Sequence, residues 1–375
     1  MILGLLKEVE PEQRVAMLPE IVARLVQKQV EVLVENHAGA GAFHSDEAYR
    51  DSGARVVSRG EVIEKAELLV RIGKPSLDLI QELSNNQVWL SQYNPLWHNE
   101  LVKAFQSKGI TSFSMDTIPR ITRAQSMDVL SSMATVAGYK AVLQAADELP
   151  HFFPMFMTAA GTIRPATVLV LGAGVAGLQA IAIARKLGAQ VEAFDVRAAV
   201  KEEVMSLGAK FVEVEGAEDD SSAGGYAVEQ SDVFQKKQQE VINRHASGAD
   251  VIICTAQIPG RKAPLLLPKE ALEGMRPGSV IIDLAASSGG NCELTKDNEK
   301  VVHKEVKIIG QSEYASLMPV DASKMFGQNV FNFLQLLIAD DGSLHLNFED
   351  DIVKGTCITH KGKILNERVK SVVES

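Results

Sequence analysis

The sequence predicts an α/β protein of two Rossmann-like domains, each with a mainly parallel sheet flanked by helices, and with a cleft between the domains. Three observations lead to this prediction. The chain has 375 residues, which is enough for two or three domains of ordinary size. Short β-rich runs alternate with helical patterns twice along the chain, and a glycine-rich turn opens the second series. Strands spaced by helices are typical of βαβ units, whose strands run parallel.

The first alternating series precedes a long helical segment. Its predicted strands are residues 2–6, 30–35, 68–72, 87–91 and 110–114, and its predicted amphipathic helix is residues 19–27. The long segment, residues 127–148, contains few helix breakers and stops before Pro150. Proline lacks the N–H that a helix interior needs, so we expect the helix to end there.

The second series is richer in fully apolar runs, which are typical of buried parallel strands. Its predicted strands are residues 167–171, 190–194, 210–213, 250–255, 279–284 and 306–310, and its predicted helices are 176–187, 201–207 and 328–338. Residues 214–232 are rich in glycine, serine and acidic residues and are predicted to form a loop. The tail is predicted to be hairpin-like, with turns at 341–342 and 361–362.

Composition excludes several classes of protein. Hydrophobic residues make up 46% and charged residues 23%, which rules out intrinsic disorder as the main description. The formal net charge of −10 argues against nucleic acid as a partner, because phosphate contacts need a basic face. Cys254, Cys292 and Cys357 are too few and too scattered for a disulfide framework, so we expect reduced thiols in a cytoplasmic protein. The histidines show no ligand spacing, and no metal is expected.

The sequence favours neither a signal peptide nor a membrane span. The N-terminus has no basic region before its apolar stretch, as a signal peptide would have. Residues 166–184 are nearly free of polar side chains and just long enough to suggest a membrane helix. Gly172, Gly174 and Gly177 lie inside this stretch and predict a turn that splits it into a strand and a helix.

These three glycines form the sharpest local motif of the sequence. They follow an apolar strand and open a helix, which is the arrangement of the Rossmann dinucleotide fingerprint. Gly172 permits the tight turn, Gly174 lets the backbone approach a pyrophosphate, and Gly177 brings helix and strand together. Asp195 ends the next predicted strand, where a carboxylate accepts hydrogen bonds from ribose hydroxyls and favours NAD over NADP.

Two alternatives stay open at this motif. Arg197 follows Asp195 by two residues and keeps the choice between NAD and NADP short of certain. A βαβ unit that binds no nucleotide also accommodates the glycines.

Residues 117–132 place many polar side chains between the two α/β series. One interpretation is a solvated linker that ends in an Asp or Ser helix cap. The other is a cofactor-facing loop at the cleft between domains, where ligands usually bind.

Six segments carry a resemblance to a known family. They are residues 119–132, 159–162 (Ala-Ala-Gly-Thr), 172–178 (Gly-Ala-Gly-Val-Ala-Gly-Leu), 224–227 (Gly-Gly-Tyr-Ala), 258–260 (Ile-Pro-Gly) and 289–292 (Gly-Gly-Asn-Cys). In these segments the chain resembles the NAD(H)-binding component, domain I of the alpha subunit, of proton-translocating NAD(P) transhydrogenases. The resemblance spans essentially the whole chain and is more specific than the glycine motif.

The resemblance implies an activity and a set of partners. It implies a homodimer of two-domain subunits that binds NAD(H) in the cleft and exchanges hydride with NADP(H) on a partner domain or beta subunit. The exchange is coupled to proton movement through a membrane component. The chain is then expected in the cytoplasm, peripheral at the inner membrane through its partners. The expected domains are residues 1–130 plus 319–375, a discontinuous Rossmann-like domain, and residues 131–318, the NAD(H)-binding Rossmann domain.

The resemblance also implies roles for individual residues. Residues Arg120, Gln125, Asp128 and Ser131 are expected to hold the nicotinamide and its ribose, with Gln125 also facing the NADP-bearing partner. Tyr226 is expected on a mobile loop that closes over NAD(H). The remaining residues expected at the NAD(H) site are Gly172, Gly174, Val175, Ala176, Gly177, Asp195, Val196, Arg197, Thr255 and Ala256.

The nearest alternative is an amino-acid dehydrogenase of the alanine dehydrogenase type. Such an enzyme shares the Arg14-Val15-Ala16 pattern and the glycine turn, but it needs a catalytic histidine and aspartate. Aligned by eye, those positions hold Asn94 and Ser287, neither of which acts as a general acid or base near pH 7. Direct hydride exchange between two nicotinamides needs no such group. A non-catalytic NAD-binding regulatory module is the third possibility.

Two departures from the family pattern concern the site. Gln257 stands where relatives usually have an apolar residue, close to the expected NAD position. Residues 313–317 stand where relatives usually have a Pro-Ser-Arg-like string, so any role of that arginine is absent here. Met155, Phe156 and Met157 are expected to pack in a core or a dimer interface.

Overall fold

The computed structural model describes residues 1–214, 231–258 and 260–374. The chain divides into two compact units. Unit 1 comprises Met1–Met133 and Ala315–Ser375, and unit 2 comprises Ala134–Tyr314.

Helices and strands alternate through both units. In chain order the strands are β1 Ile2–Leu5, β2 Glu31–Glu35, β3 Arg55–Val57, β4 Leu68–Val70, β5 Val88–Ser91, β6 Thr111–Ser114, β7 Phe156–Thr158, β8 Gly161–Ile163, β9 Thr167–Leu171, β10 Gln190–Phe194, β11 Lys210–Phe211, β12 Val251–Cys254, β13 Val280–Asp283, β14 Glu299–His303, β15 Val306–Gly310, β16 Cys357–His360 and β17 Lys363–Ile364. The α-helices are α1 Pro19–Gln27, α2 Asp46–Asp51, α3 Arg59–Lys65, α4 Leu77–Glu82, α5 Asn99–Ser107, α6 Val129–Glu148, α7 Val175–Lys186, α8 Lys201–Ser206, α9 Asp232–Gly248, α10 Lys269–Glu273, α11 Pro319–Leu334, α12 Asp351–Thr356 and α13 Glu367–Val373. Short 3₁₀ turns span Ala40–Ala42, Met115–Thr117, Thr122–Met127, Ala198–Val200 and Ala286–Ser288.

The sheet of unit 1 has eight strands within the described residues, in the order β17-β16-β6-β5-β4-β1-β2-β3. All pairings from β6 to β3 are parallel, whereas β16 runs antiparallel to β6 and to β17. Both faces of the sheet are covered: Leu3 and Leu5 lie in one apolar cluster, and Leu69 lies in another. Gly4 sits where α3 crosses β1, because a Cβ there would lie 2.7 Å from Val62.

The sheet of unit 2 has seven strands among the residues that the structure describes, in the order β11-β10-β9-β12-β13-β15-β14. Its pairings are parallel except for the edge strand β14, which runs antiparallel to β15. Val168 and Val170 pack into one apolar cluster, and Leu169 and Leu171 pack into another on the opposite face. The chain order reverses at β9, and ligands of such sheets bind beyond the carboxyl ends of the strands at this point.

The predicted alternation and parallel sheets are confirmed. Strands β9, β10 and β15 and helix α1 have the predicted bounds. Most other predicted elements match within one or two residues, since buried apolar runs and breakers are local signals. Strands β3, β7, β8 and β14 were not predicted; they are short, exposed or at a sheet edge, where the apolar signal is weak.

Two predictions near the C-terminus were wrong in detail. The helix predicted for 328–338 is α11, which begins at Pro319 and ends at Leu334. Proline is tolerated there because the first helical turn does not use its N–H. The tail is not simply hairpin-like: residues 361–362 do connect β16 and β17, but α12 and α13 flank this hairpin. Asp350 and Asn366 cap those two helices through their side chains.

The apolar stretch at 166–184 is divided as predicted between β9 and α7. No helix in the described ranges of the chain combines the length and the apolar character that crossing a membrane requires. Residues 215–230, most of the predicted loop, lie outside the described residues.

Asp250 ties three segments of unit 2 together at the start of β12. Its carboxylate accepts two hydrogen bonds from Arg164, both 2.7 Å, one from Arg276 at 3.0 Å, and one from the Thr167 N–H at 2.8 Å. Burial alone would raise the pKa of Asp250, but the hydrogen bonds from Arg164 and Thr167 outweigh it and lower the pKa to about 2. The ionised carboxylate therefore stabilises the folded chain.

We expect Asp250→Asn to lower the free energy of unfolding at pH 7 by about 1–3 kcal/mol, because it removes charged hydrogen bonds. The folded-state pKa lies below the ordinary value, so this stability is present above about pH 4 and is lost as the pH falls toward 2. Urea denaturation at a series of pH values measures it: the difference between wild type and variant should shrink below pH 4. Asp147→Asn, at an exposed residue of α6, serves as control. A difference independent of pH would contradict the prediction.

Candidate functional site

The glycine turn after β9 is packed so closely that two of its residues have no room for a side chain. Gly172 has a φ of +98°, and a Cβ there would lie 2.6 Å from the Thr255 hydroxyl oxygen. A Cβ on Gly177 would lie 1.9 Å from the Gly172 carbonyl oxygen. The start of α7 is thereby held directly against the end of β9.

The N-terminus of α7 is open. Gly174 occupies the N-cap position in an extended conformation, and no side chain of the described residues caps this end. A Cβ built on Gly174 would have only the Arg197 guanidinium near it, 4.0 Å away, within the portion of the chain that the structure describes. Backbone N–H groups at a helix start carry partial positive charge, and the open space before them suits a phosphate group.

Asp195 links the end of β10 to this turn. Its carboxylate accepts a hydrogen bond from the Ala173 N–H at 2.7 Å. It also accepts three from Arg197: from the backbone N–H and Nε, both 2.9 Å, and from Nη2 at 2.7 Å. The Arg197 guanidinium is thus held on Asp195 beside the glycine turn.

A cavity of about 310 Å³ opens next to Asp195, beyond the carboxyl ends of β10 and β11. Val196 and Phe234 contribute apolar walls, and Lys201, which pairs with Glu213, contributes charge. The combination of aromatic and apolar walls with polar groups at one side suits a flat heterocycle attached to a sugar.

The segment after β12 borders the turn on its other side. Thr255 donates a hydrogen bond from its hydroxyl to the Gly172 carbonyl at 2.9 Å. The backbone of Ala256 pairs with the side chain of Asn291, which is fully buried. Asn291 and its support, Asp283, were not predicted as site residues. A buried Asp at the end of an apolar strand, followed by Gly-Gly-Asn, was the available signal.

The polar stretch of unit 1 forms a 3₁₀ turn, Thr122–Met127, that is fastened at two places. Arg123 makes a bidentate ion pair with Asp350 at 2.7 and 3.0 Å. The Ser126 carbonyl accepts hydrogen bonds from Asn329 at 2.8 Å and Asn332 at 2.9 Å, both on α11.

The four predicted ring-binding residues lie on and beside this turn, all of them in unit 1. The side chains of Arg120 and Gln125 are exposed. Asp128 accepts hydrogen bonds from the Ser131 N–H at 3.0 Å and from the Ser131 hydroxyl at 2.6 Å. The helix cap expected in the linker interpretation is therefore present at Asp128, while the exposed Gln125 leaves the ligand-facing interpretation open.

Other predicted positions are placed as follows. Val175 and Ala176 form the first turn of α7. Tyr226 and Pro259 lie outside the described residues. The Asn94 carbonyl accepts hydrogen bonds from the backbone of Trp97 and His98. The Ser287 N–H donates to the Ser312 hydroxyl at 3.0 Å. No cluster of three or more acidic, His or Cys side chains suited to a metal ion occurs among the described residues.

Comparison with known proteins places the chain in a family. Residues 4–137 match the family model "Alanine dehydrogenase/PNT, N-terminal domain", and residues 141–367 match "Alanine dehydrogenase/PNT, C-terminal domain". The chain therefore belongs to the alanine dehydrogenase/PNT family, whose members bind nicotinamide nucleotides.

Within this family the chain is more similar to transhydrogenases than to alanine dehydrogenases. It is 44% identical over 370 residues to an NAD(P) transhydrogenase alpha subunit of Rhodospirillum rubrum, covering 96% of each chain. The solved transhydrogenase from Sinorhizobium meliloti aligns with a TM-score of 0.89 and 41% identity over 97% of this chain and 100% of that chain. Alanine dehydrogenase of Bacillus subtilis is 28% identical over 303 residues, 78% of this chain and 72% of that protein. The predicted similarity to transhydrogenase alpha subunits is confirmed.

Proposed function

We propose that this chain is the NAD(H)-binding alpha component of a proton-translocating NAD(P)⁺ transhydrogenase. The observation that carries the proposal is the open, uncapped N-terminus of α7 above the glycine turn, in a chain 44% identical to a transhydrogenase subunit. Bound NADH supplies the hydride, and NADP⁺ on a partner domain accepts it. Units 1 and 2 then correspond to the two predicted domains, residues 1–130 plus 319–375 and residues 131–318.

The dinucleotide is proposed to bind to unit 2 along the glycine turn. The N–H groups of Val175 and Ala176, with Gly172, Gly174 and Gly177 leaving room, hold the pyrophosphate. The cavity beside Asp195 and Val196 takes the adenosine, with Thr255 and Ala256 on the other side of the turn. Tyr226, which lies outside the described residues, is proposed to close over the ligand.

The Asp195–Arg197 pair favours NAD(H) over NADP(H). Asp195 holds the Arg197 guanidinium through two side-chain hydrogen bonds, so this cation is committed to a carboxylate. A 2′-phosphate placed here would have to compete with Asp195 for the guanidinium and would meet the carboxylate charge. A ribose hydroxyl needs only an acceptor, which Asp195 offers.

The nicotinamide is proposed to bind at the polar turn of unit 1. Asp128 is fixed by Ser131, and the turn is fastened through Arg123 and Ser126, so Gln125 projects from a rigid support. Arg120 and Gln125 are exposed and can reach both the ring and an incoming partner. Asn94 and Ser287 offer no proton donor or acceptor near pH 7, which suits direct transfer between two rings in close contact.

The partners follow from the reaction. A hydride acceptor on a separate domain requires an NADP(H)-binding partner, the beta subunit, and coupling to proton movement requires a membrane component. The chain is then proposed to work in the cytoplasm, held at the inner membrane through these partners.

A spectrophotometric assay tests the function. We expect no oxidation of NADH by the isolated chain with pyruvate and ammonium, and transfer to an NADP⁺ analogue once an NADP-binding partner domain is added. Oxidation by pyruvate and ammonium would instead support an alanine dehydrogenase and overturn the proposal. NADH binding without turnover in either assay would favour a regulatory module.

We expect Gln125→Asn to slow hydride transfer on the order of 100-fold, because a displacement of about 1 Å at the reacting rings has an effect of this size. NADH affinity should change much less, since the dinucleotide is bound mainly by unit 2. Stopped-flow transfer rates and fluorescence titration of NADH separate the two effects. Equal losses of rate and affinity would contradict the proposed role of Gln125.

We also propose that the chain forms a homodimer through the β7–β8 hairpin. Within the described residues this hairpin is a separate two-stranded sheet, and all its residues are exposed. Met157 is 74% exposed, and the ring of Phe156 packs on Phe152, which is also exposed. Met155, Phe156 and Met157 are therefore not core residues of this chain, contrary to one of the two expectations. An isolated two-stranded sheet is marginally stable, and a second copy that covers it would stabilise it.

We expect Met157→Asp to convert the dimer to a monomer, because it places a charge in an apolar contact. Size-exclusion chromatography with light scattering measures the mass. Val302→Asp, at a 62% exposed residue of the edge strand β14, is the matched control and should leave the mass unchanged. A wild-type chain that is monomeric, or a variant that stays dimeric, would contradict the proposed interface.

A further inference from the structure

The side chain of Asn291 is fully buried and hydrogen-bonds to backbone groups of two other segments. Its Oδ1 accepts a hydrogen bond from the Ala256 N–H at 3.0 Å, and its Nδ2 donates to the Ala256 carbonyl at 2.9 Å. The same Nδ2 donates to the Pro264 carbonyl at 2.8 Å. One side chain thus binds both polar groups of Ala256, as a neighbouring strand would.

Asp283 holds the backbone that carries Asn291. Its carboxylate accepts hydrogen bonds from the N–H groups of Asn291 at 2.8 Å, Cys292 at 3.0 Å and Ala285 at 3.0 Å, and from the Thr295 hydroxyl at 2.7 Å. Gly290 has a φ of +77°, and a Cβ there would lie 2.9 Å from the Asp283 carboxylate. Asn291 is therefore presented to Ala256 from a fixed support.

The other side of this segment bears on the glycine turn. A Cβ on Gly172 would lie 3.2 Å from the Ala256 nitrogen as well as 2.6 Å from the Thr255 hydroxyl oxygen. The Thr255 hydroxyl donates to the Gly172 carbonyl, against which Gly177 packs. Contacts this close transmit a displacement of Ala256 to the turn, because there is no free space to absorb it.

We propose that Asn291 is a positioning residue for the nicotinamide nucleotide: it fixes Ala256 and thereby the glycine turn that receives the pyrophosphate. This inference rests on the proposed function, because it takes the glycine turn to be the dinucleotide site. Asn291 itself touches the turn only through Thr255 and Ala256. Its effect is therefore on ligands that use the turn.

The test is Asn291→Asp in the full chain. The substitution keeps the size of the side chain and its acceptor for the Ala256 N–H, but the carboxylate has no donor for the Ala256 and Pro264 carbonyls. We expect the affinity for NADH and for ADP-ribose, which both carry a pyrophosphate, to fall about tenfold, the effect of losing one or two buried hydrogen bonds. Adenosine, which has no phosphate, should bind as it does to wild type.

Gln87→Glu is the matched control. Gln87 is also a buried amide: it donates to the Ile63 and Ala66 carbonyls and accepts from the Ser84 N–H, but it belongs to unit 1. Both variants should lose thermal stability, and only Asn291→Asp should lose affinity for the pyrophosphate ligands. Isothermal titration calorimetry measures the affinities, and circular dichroism measures folding.

The outcomes separate the positioning role from the proposed function. Wild type that binds NADH, with unchanged affinity in Asn291→Asp, overturns the positioning role alone. Equal losses in both variants, or an equal loss for adenosine, also overturn it, since a general loss of stability would then explain them. Wild type that binds neither NADH nor ADP-ribose overturns both proposals. If Asn291→Asp does not fold, Asn291→Ala and Gln87→Ala are compared under the same criteria, since water can enter the space they leave.

Discussion

The close contact between the start of α7 and the end of β9 is the constraint on which the rest of unit 2 depends. A Cβ on Gly177 would be 1.9 Å from the Gly172 carbonyl, so only glycine permits this approach. The contact points the first turn of α7 toward the carboxyl ends of the sheet without a side chain of the described residues capping it. Affinity for an anion at this place therefore comes from the backbone, and the surrounding side chains serve to hold the backbone there.

Carboxylates at strand ends provide much of that support. Asp195, after β10, accepts from Ala173 in the turn and neutralises Arg197. Asp283, at the end of β13, fixes the backbone at Asn291. Burial raises the pKa of Asp283, while its four hydrogen-bond donors oppose this effect. Because every one of these partners donates, the carboxyl group acts in each contact as an acceptor.

Unit 1 supports its share of the proposed site by a different means. Its polar turn is a surface 3₁₀ segment whose backbone and charged residues are tied to α11 and to the cap of α12. Gln125 stays exposed on this rigid segment. A group that must meet a ring on another protein has to be both exposed and fixed, and this arrangement satisfies both conditions.

The order of strands and helices, the glycine turn and Asp195 were all predictable from the sequence, because apolar runs, breakers and glycine spacing act over a few neighbouring residues. The similarity to transhydrogenase subunits was predictable for the same reason, since short motifs carry it. The exposed hairpin at Met157 and the pairing of β16 with β6 were decided only by the tertiary structure. So was the link from Asp283 through Asn291 to Ala256 and Gly172. These contacts join residues far apart in the chain, and no local pattern specifies which distant backbone group a buried Asn or Asp will meet.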